Sequence, residues 1–150
     1  MTPKIPPPLV MLICAGVSGW LTPVWPQLNW MSPYQLAAVA IALCGIVVSA
    51  LGARAFRRVK TTVNPLQPHT ATTLVVKGIY HYSRNPMYLG LLLVLIAWTL
   101  FLQNIWALVV TPVVFVLYID RFQIAYEERA LTALFGESYV KYLVQVRRWV

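Results

Sequence analysis

Apolar residues gather into four runs, at about 9–25, 34–56, 87–102 and 105–119, and charge is almost excluded from them. A helix needs about 20 such residues to cross the hydrocarbon core of a bilayer. Inside that core a helix satisfies its own backbone N–H and C=O groups, which few other structures can do. The runs therefore predict four helices, with the first, third and fourth needing flanking residues to reach full length. Only 11% of the 150 residues are charged, against about 25% in an ordinary soluble domain. That is too little charge to clothe a soluble surface. The expected fold is all-α: a single polytopic membrane domain with about four transmembrane helices.

The charges between the runs set an orientation. Lys4 precedes the first run, and Arg54, Arg57, Arg58, Lys60, Lys77 and Arg84 gather between the second and third. The loop TPVWPQLNWMSP is uncharged and carries Trp25 and Trp30, as an interfacial belt does, and only Gln103 and Asn104 part the last two runs as a tight helical hairpin. The remaining charges follow the fourth run. Positively charged loops stay on the cytoplasmic side, so both termini and the central loop are expected there. The net charge of +8 then suits an anionic lipid surface rather than nucleic acid. The N-terminal segment shows no small-residue cleavage site of the kind that closes a signal peptide.

Smaller features follow from the same reading. Cys14 and Cys44 lie within apolar runs without paired spacing and read as small core residues, not as metal ligands or a disulfide. Pro112 is expected to kink the fourth helix. Gly16, Gly19, Gly45 and Gly52 allow close helix approach, within the chain or in a dimer, and leave the oligomeric state open. The tail, DRFQIAYEERALTALFGESYVKYLVQVRRWV, alternates charge with apolar residues at helical spacing. It predicts a helix continuing to about Phe135, a stop at Gly136, and a second amphipathic helix at the cytoplasmic face. Arg147, Arg148 and Trp149 suit a membrane surface.

Polar chemistry concentrates in GIYHYSRNPMYLG, residues 78–90. Asn85-Pro86 reads as a helix start, with Asn as the cap and Pro at the first helical position. Such an end faces anionic groups with free N–H donors, and Arg84 beside it can pair a carboxylate or phosphate. Tyr80, Tyr82 and Tyr88 add aromatic faces and hydroxyls. An interfacial loop with a snorkelling arginine reads equally well from these residues alone. The second focus is Glu127-Glu128, half of the chain's four acids. On a helix neighbouring residues point about 100° apart, so one acid is expected to face the central loop and the other solvent; a surface ion pair is the plainer alternative. A helical hairpin would bring both foci into one pocket offering anion-binding groups, a carboxylate and aromatic faces. S-adenosylmethionine, with its carboxylate, ammonium, sulfonium and flat base, is a guest of that description.

The block TTLVVKGIYHYSRNPMYLG, followed by EERALTALFGESYVKYLVQVRRWV, resembles the integral-membrane methyltransferases: the isoprenylcysteine carboxyl methyltransferases and the related phospholipid methyltransferases. The resemblance runs from about Phe56 to Val150 and rests on a G-[IV]-Y…R-[NH]-P-x-Y block, then E-E…L…F-G-x-x-Y. It implies a cofactor-binding catalytic core at about 57–150 after an N-terminal helical pair at about 1–56. It also implies S-adenosylmethionine bound at the cytoplasmic membrane face without a soluble nucleotide fold; the glycine-rich fingerprint of that fold is absent. By the same resemblance Thr72, Thr73, Leu74, Val75, Tyr80, Asn85, Pro86, Met87, Tyr88 and Glu127 would bind the cofactor, and Arg84 and Glu128 would act in catalysis. The block has Asn85 where isoprenylcysteine enzymes of eukaryotes have histidine. It has Gln123 where they carry an arginine implicated in substrate binding. The expected reaction is direct methyl transfer to a small or lipid-like acceptor, with His81, Glu128 or a tyrosine as base if the acceptor is an amine. His69 reads as a loop residue. The alternatives are phospholipid N-methylation and a non-catalytic four-helix membrane protein.

Overall fold

The computed structural model describes residues 5–23, 32–59 and 68–150. Lys4, Lys60 and the belt residues Trp25 and Trp30 lie outside the described residues. Six α-helices follow in order: α1 (Pro7–Trp20), α2 (Pro33–Arg58), α3 (Pro86–Phe101), α4 (Ile105–Tyr118), α5 (Ala125–Phe135) and α6 (Glu137–Gln145). Short 3₁₀ turns occupy Pro68–Thr70 and Gly78–His81, and a π turn, Ile119–Ile124, joins α4 to α5. Among the described residues there is no strand, so the chain is all-helical as expected.

Proline sits in the first turn of α1, α2 and α3, where its missing N–H costs no intrahelical bond. The expected cap at Asn85 is not made by its side chain. Its Nδ2 donates instead to the Arg148 carbonyl, at 3.0 Å. The asparagine that does cap is Asn104, which accepts from the N–H groups of Trp106 and Ala107 at 3.0 and 3.3 Å after a reversal at Gln103, where φ is 51°. That reversal makes the tight α3–α4 hairpin.

Among the described residues two helices are long and apolar enough to cross a membrane: α2, with 26 residues, and the continuous stretch Ile105–Phe135, with 31. That is fewer than the four expected. α1 has 14 residues and α3 has 16; α3 rises only about 24 Å, because Pro86 fixes its start and the Gln103 reversal its end. The runs were apolar enough, but the turns cut two of them short. Large apolar side chains nevertheless face outward along α2 and α4, among them Leu43, Ile46 and Val47 on one and Val109, Val113 and Leu117 on the other.

α3 is the central helix, packed on α1, α2 and α4. Leu95 and Thr99 are fully buried on it, and the Trp98 indole donates to the Ala15 carbonyl on α1 at 2.9 Å. Against α2 the approach is backbone to backbone: a Cβ added at Gly45 would stand 2.6 Å from the Gly90 carbonyl oxygen. Ser49 beside it donates to the Met87 carbonyl at 3.1 Å. So Gly45 and Gly52, where a Cβ would press on Met87, serve contact within the chain.

α4 continues through Pro112 without a break. The irregularity comes later, in the π turn. The buried stripe runs Phe115, Ile119, Ile124, and its last step is five residues, as the wider turn requires. Gly136 then separates α5 from α6 at φ 53° and ψ −129°, a region that essentially only glycine occupies. Gly136→Ala is expected to cost about 1–3 kcal/mol, read as a lower unfolding midpoint in detergent; an unchanged midpoint would show that the turn relaxes.

The tail departs from expectation. Rather than lying out on a membrane surface, Trp149 packs against the core cluster of Tyr88, Phe115 and Ile119 and its indole donates to Asp120 at 3.2 Å. Arg148 pairs with acids on the π turn and α5. Arg147 and Val150 are exposed there, and the Arg148 side chain is 37% exposed despite its ion pairs.

Candidate functional site

Between the start of α3 and the start of α5 lies a cavity of about 530 Å³, within the roughly 300–1,000 Å³ usual for small-ligand pockets. The turn Gly78–His81, admitted by a positive φ of 68° at Gly78, buries Tyr80 with its ring edge-on to Phe56 at 5.3 Å. Tyr142 of α6 donates to the Tyr80 carbonyl at 2.7 Å. Burial pushes the Tyr80 and Tyr142 hydroxyls above the usual tyrosine range, so both remain protonated donors. The Tyr139 hydroxyl, buried near Glu128, is pushed up to about 12.

One turn into α3, the Tyr88 hydroxyl donates to the Glu127 carboxylate. Gln123, 1% exposed, donates its amide to the same oxygen at 2.6 Å. Among the described residues no lysine or arginine pairs with Glu127. Glu128 is its opposite. Arg84 approaches it at 3.1 Å, and Arg148 grips both of its oxygens, Nε to Oε1 at 3.2 Å and Nη2 to Oε2 at 2.6 Å. The expected division, one acid inward and one toward solvent, is therefore corrected: both acids line the cavity. The two acids still stand about 100° apart on α5, but the cavity is lined from several elements at once, and its wall takes in both directions.

Most residues singled out in the sequence meet here. Thr73, Leu74 and Val75 line the cavity, with Tyr80, Arg84 and Asn85 from the turn region, Met87 and Tyr88 from α3, and Glu127 and Glu128 from α5. Two do not. Thr72 is exposed outside the lining, and Pro86 is buried on the α2 side, against Gly52. His81, expected as a possible base, is exposed with its ring against Tyr82, and it is absent from the lining, as is His69. Arg121, beside Gln123 in sequence, is exposed.

Sequence reading missed other walls. Pro6, Pro7 and Pro8 close the cavity from α1, and Ser49, Ala50, Ala53 and Phe56 from α2. The lining thus draws on both sides of the boundary expected near residue 56. Tyr139 and Tyr142 come from α6; their spacing of three on an amphipathic helix was a usable signal for a buried face. The polar groups cluster on the α3, α5 and loop walls, while α1 and α2 contribute mostly apolar surface. Such an arrangement offers a carboxylate to a cationic group and apolar surface beside it.

Comparison with known proteins gives three findings. The sequence profile of the phospholipid methyltransferase family matches residues 34–138. An uncharacterized protein of Haemophilus influenzae is 50% identical over 64 residues, which are 43% of this chain and the whole of that protein. No solved structure matches the chain significantly.

Proposed function

We propose S-adenosylmethionine-dependent methyl transfer as the function of this chain, which belongs to the phospholipid methyltransferase family. The observation that supports it best is Glu127: a carboxylate on the wall of the cavity, held by two neutral donors and matched by no described cation. A buried charge of that kind is costly unless something compensates it, and a cationic ligand would do so.

S-adenosylmethionine fits this donor set, supplying when bound a methyl group on a positively charged sulfur. Glu127 would face its ammonium group, Tyr80 and Phe56 offer aromatic faces, and the segment Thr73–Leu74–Val75 offers backbone groups. Tyr88 and Gln123 fix the Glu127 carboxylate in one orientation. The apolar walls from α1 and α2 keep water from the site. Orientation of this sort can supply a large part of a barrier reduction, so an acceptor that arrives ionised, or an amine that has given its proton to interfacial water before it enters, needs no base from the protein. Glu128 is poorly placed as one, because two arginines already share its oxygens. Its role with Arg84 is then to present a fixed guanidinium to the cavity.

For the acceptor we favour a lipid-like molecule entering past the apolar α1 and α2 walls. Gln123 turns its amide to Glu127, so the anion-binding arginine of prenylcysteine enzymes has no counterpart at that position. A phospholipid amine is favoured over a free carboxylate on that ground, and by the name of the family. The membrane reading extends to α1 and α3: packed against the long helices, both would insert with them, placing the cavity, both termini and the central loop at the cytoplasmic face of a bacterial inner membrane.

Calorimetric titration of S-adenosylhomocysteine into detergent-purified protein tests the cofactor. Labelled-methyl transfer to phospholipids, prenylcysteines and thiols then tests the acceptor. Saturable binding with label in a lipid amine is the expected result. Absence of binding by folded protein removes the enzyme reading.

A further inference from the structure

The last five residues, 146–150, lie across the outside of the wall formed by Arg84, Asn85 and Glu128. Backbone groups hold them on one side: the Arg84 N–H donates to the Arg147 carbonyl and the Asn85 amide to the Arg148 carbonyl, both at 3.0 Å. Side chains hold them on the other. Arg148 makes its two-point contact with Glu128 and stands 3.7 Å from Asp120, while Trp149 donates to Asp120 at 3.2 Å. Val146 is buried with Tyr139 and Tyr142. Arg84, Asn85 and Glu128 line the cavity, whereas Arg148, Trp149 and Asp120 do not.

Arg84 and Glu128 are largely buried, their side chains 13% and 18% exposed. Without Arg148, Glu128 has few ways to keep one orientation, since Arg84 is the one other described cation that reaches it. The bidentate grip of Arg148 supplies that orientation, because a planar guanidinium meets a carboxylate in fixed geometry. The hydrogen bond from Arg148 to Glu128 in turn raises the arginine's already high pKa, so its charge is constant. We infer that Arg148 is a positioning residue for the cavity: through Glu128 it fixes the direction in which Arg84 faces a bound ligand, and the segment 146–150 is a structural strap of the binding site rather than a membrane anchor. This rests on the cofactor reading above for its ligand, and on the contacts alone for the strap.

Two readouts separate those parts. The variants are Arg148→Ala, Arg148→Lys and, as control, Arg147→Ala, which removes the same charge from the same segment at a side chain with no described ion pair. In ligand-free full-length protein, hydrogen exchange at residues 83–91 is expected to rise in Arg148→Ala and to match wild type in Arg147→Ala. With S-adenosylhomocysteine, calorimetry is expected to show affinity about tenfold weaker for Arg148→Ala, the usual scale of coupling between contacting groups. Arg148→Lys should recover it only in part, since an ammonium cannot reproduce the fork. Unchanged exchange in Arg148→Ala, or equal changes in Arg147→Ala, overturns the inference whether or not the ligand binds. Wild-type protein that binds no S-adenosylhomocysteine yet shows the exchange difference removes the cofactor reading and keeps the strap.

Discussion

Glu127→Gln is expected to lower affinity for S-adenosylhomocysteine by two orders of magnitude or more, while the ligand-free protein unfolds at the same temperature as wild type or higher. The two halves have one cause. Glu127 is a carboxylate held by the Tyr88 hydroxyl and the Gln123 amide, with no described cation beside it. In the empty protein that charge is uncompensated and costs stability. With a cationic ligand it becomes half of an ion pair, and breaking a buried pair costs about 3–5 kcal/mol. Glutamine keeps the shape and an acceptor for Tyr88 but removes the charge. Calorimetry and a thermal melt on the same sample read the two quantities. Wild-type affinity in Glu127→Gln would remove Glu127 from the binding site. A large fall in the melting midpoint would instead show that the carboxylate serves folding.

Gly90→Ala is expected to destabilise the protein by about 3 kcal/mol, or roughly 10 °C in the unfolding midpoint, and to abolish ligand binding with it. A Cβ at residue 90 would stand 2.7 Å from the Ser49 backbone nitrogen and also meet the Ser49 hydroxyl and Gly45 carbonyl. Backbone atoms cannot rotate aside, so α2 and α3 would have to separate. The cavity is lined from both helices, by Ser49 and Ala53 on one and Met87 and Tyr88 on the other, so separation opens it. Gly16 is the contrast: a Cβ there meets nothing within 4 Å. Gly16→Ala should be neutral or stabilising, by up to about 1 kcal/mol of helix propensity. Equal midpoints for the two variants would mean that α2 and α3 slide at little cost.

Part of the site was legible because it is local. Residues 73–88 hold the cavity-lining Thr73, Tyr80, Arg84 and Tyr88 within a short loop and one helical turn, and a proline marks where that helix starts. The role of each partner was less legible. Asn85 has the composition of a cap, yet its side chain makes no cap hydrogen bond and its Nδ2 donates to the Arg148 carbonyl instead. Arg147, Arg148 and Trp149 read together as a surface cluster. Burial divides them: Arg148 and Trp149 meet acids that lie 20 to 29 positions earlier, and nothing in local spacing announces such a pairing.

The sequence by itself determined that this chain is helical, where most helices begin and end, and which residues carry its polar chemistry. Apolar periodicity, proline and glycine act within a few residues, so those properties need no distant partner. Only the tertiary structure decided which helices reach crossing length, which acid is paired with arginine and which has no described cation, and that residues 146–150 pack beside the cavity wall. Those outcomes turn on a backbone contact between Gly45 and Gly90, a cavity lined from several elements at once, and ion pairs between distant segments. Each depends on the distance between atoms far apart in the chain, and that distance exists only once the helices have packed.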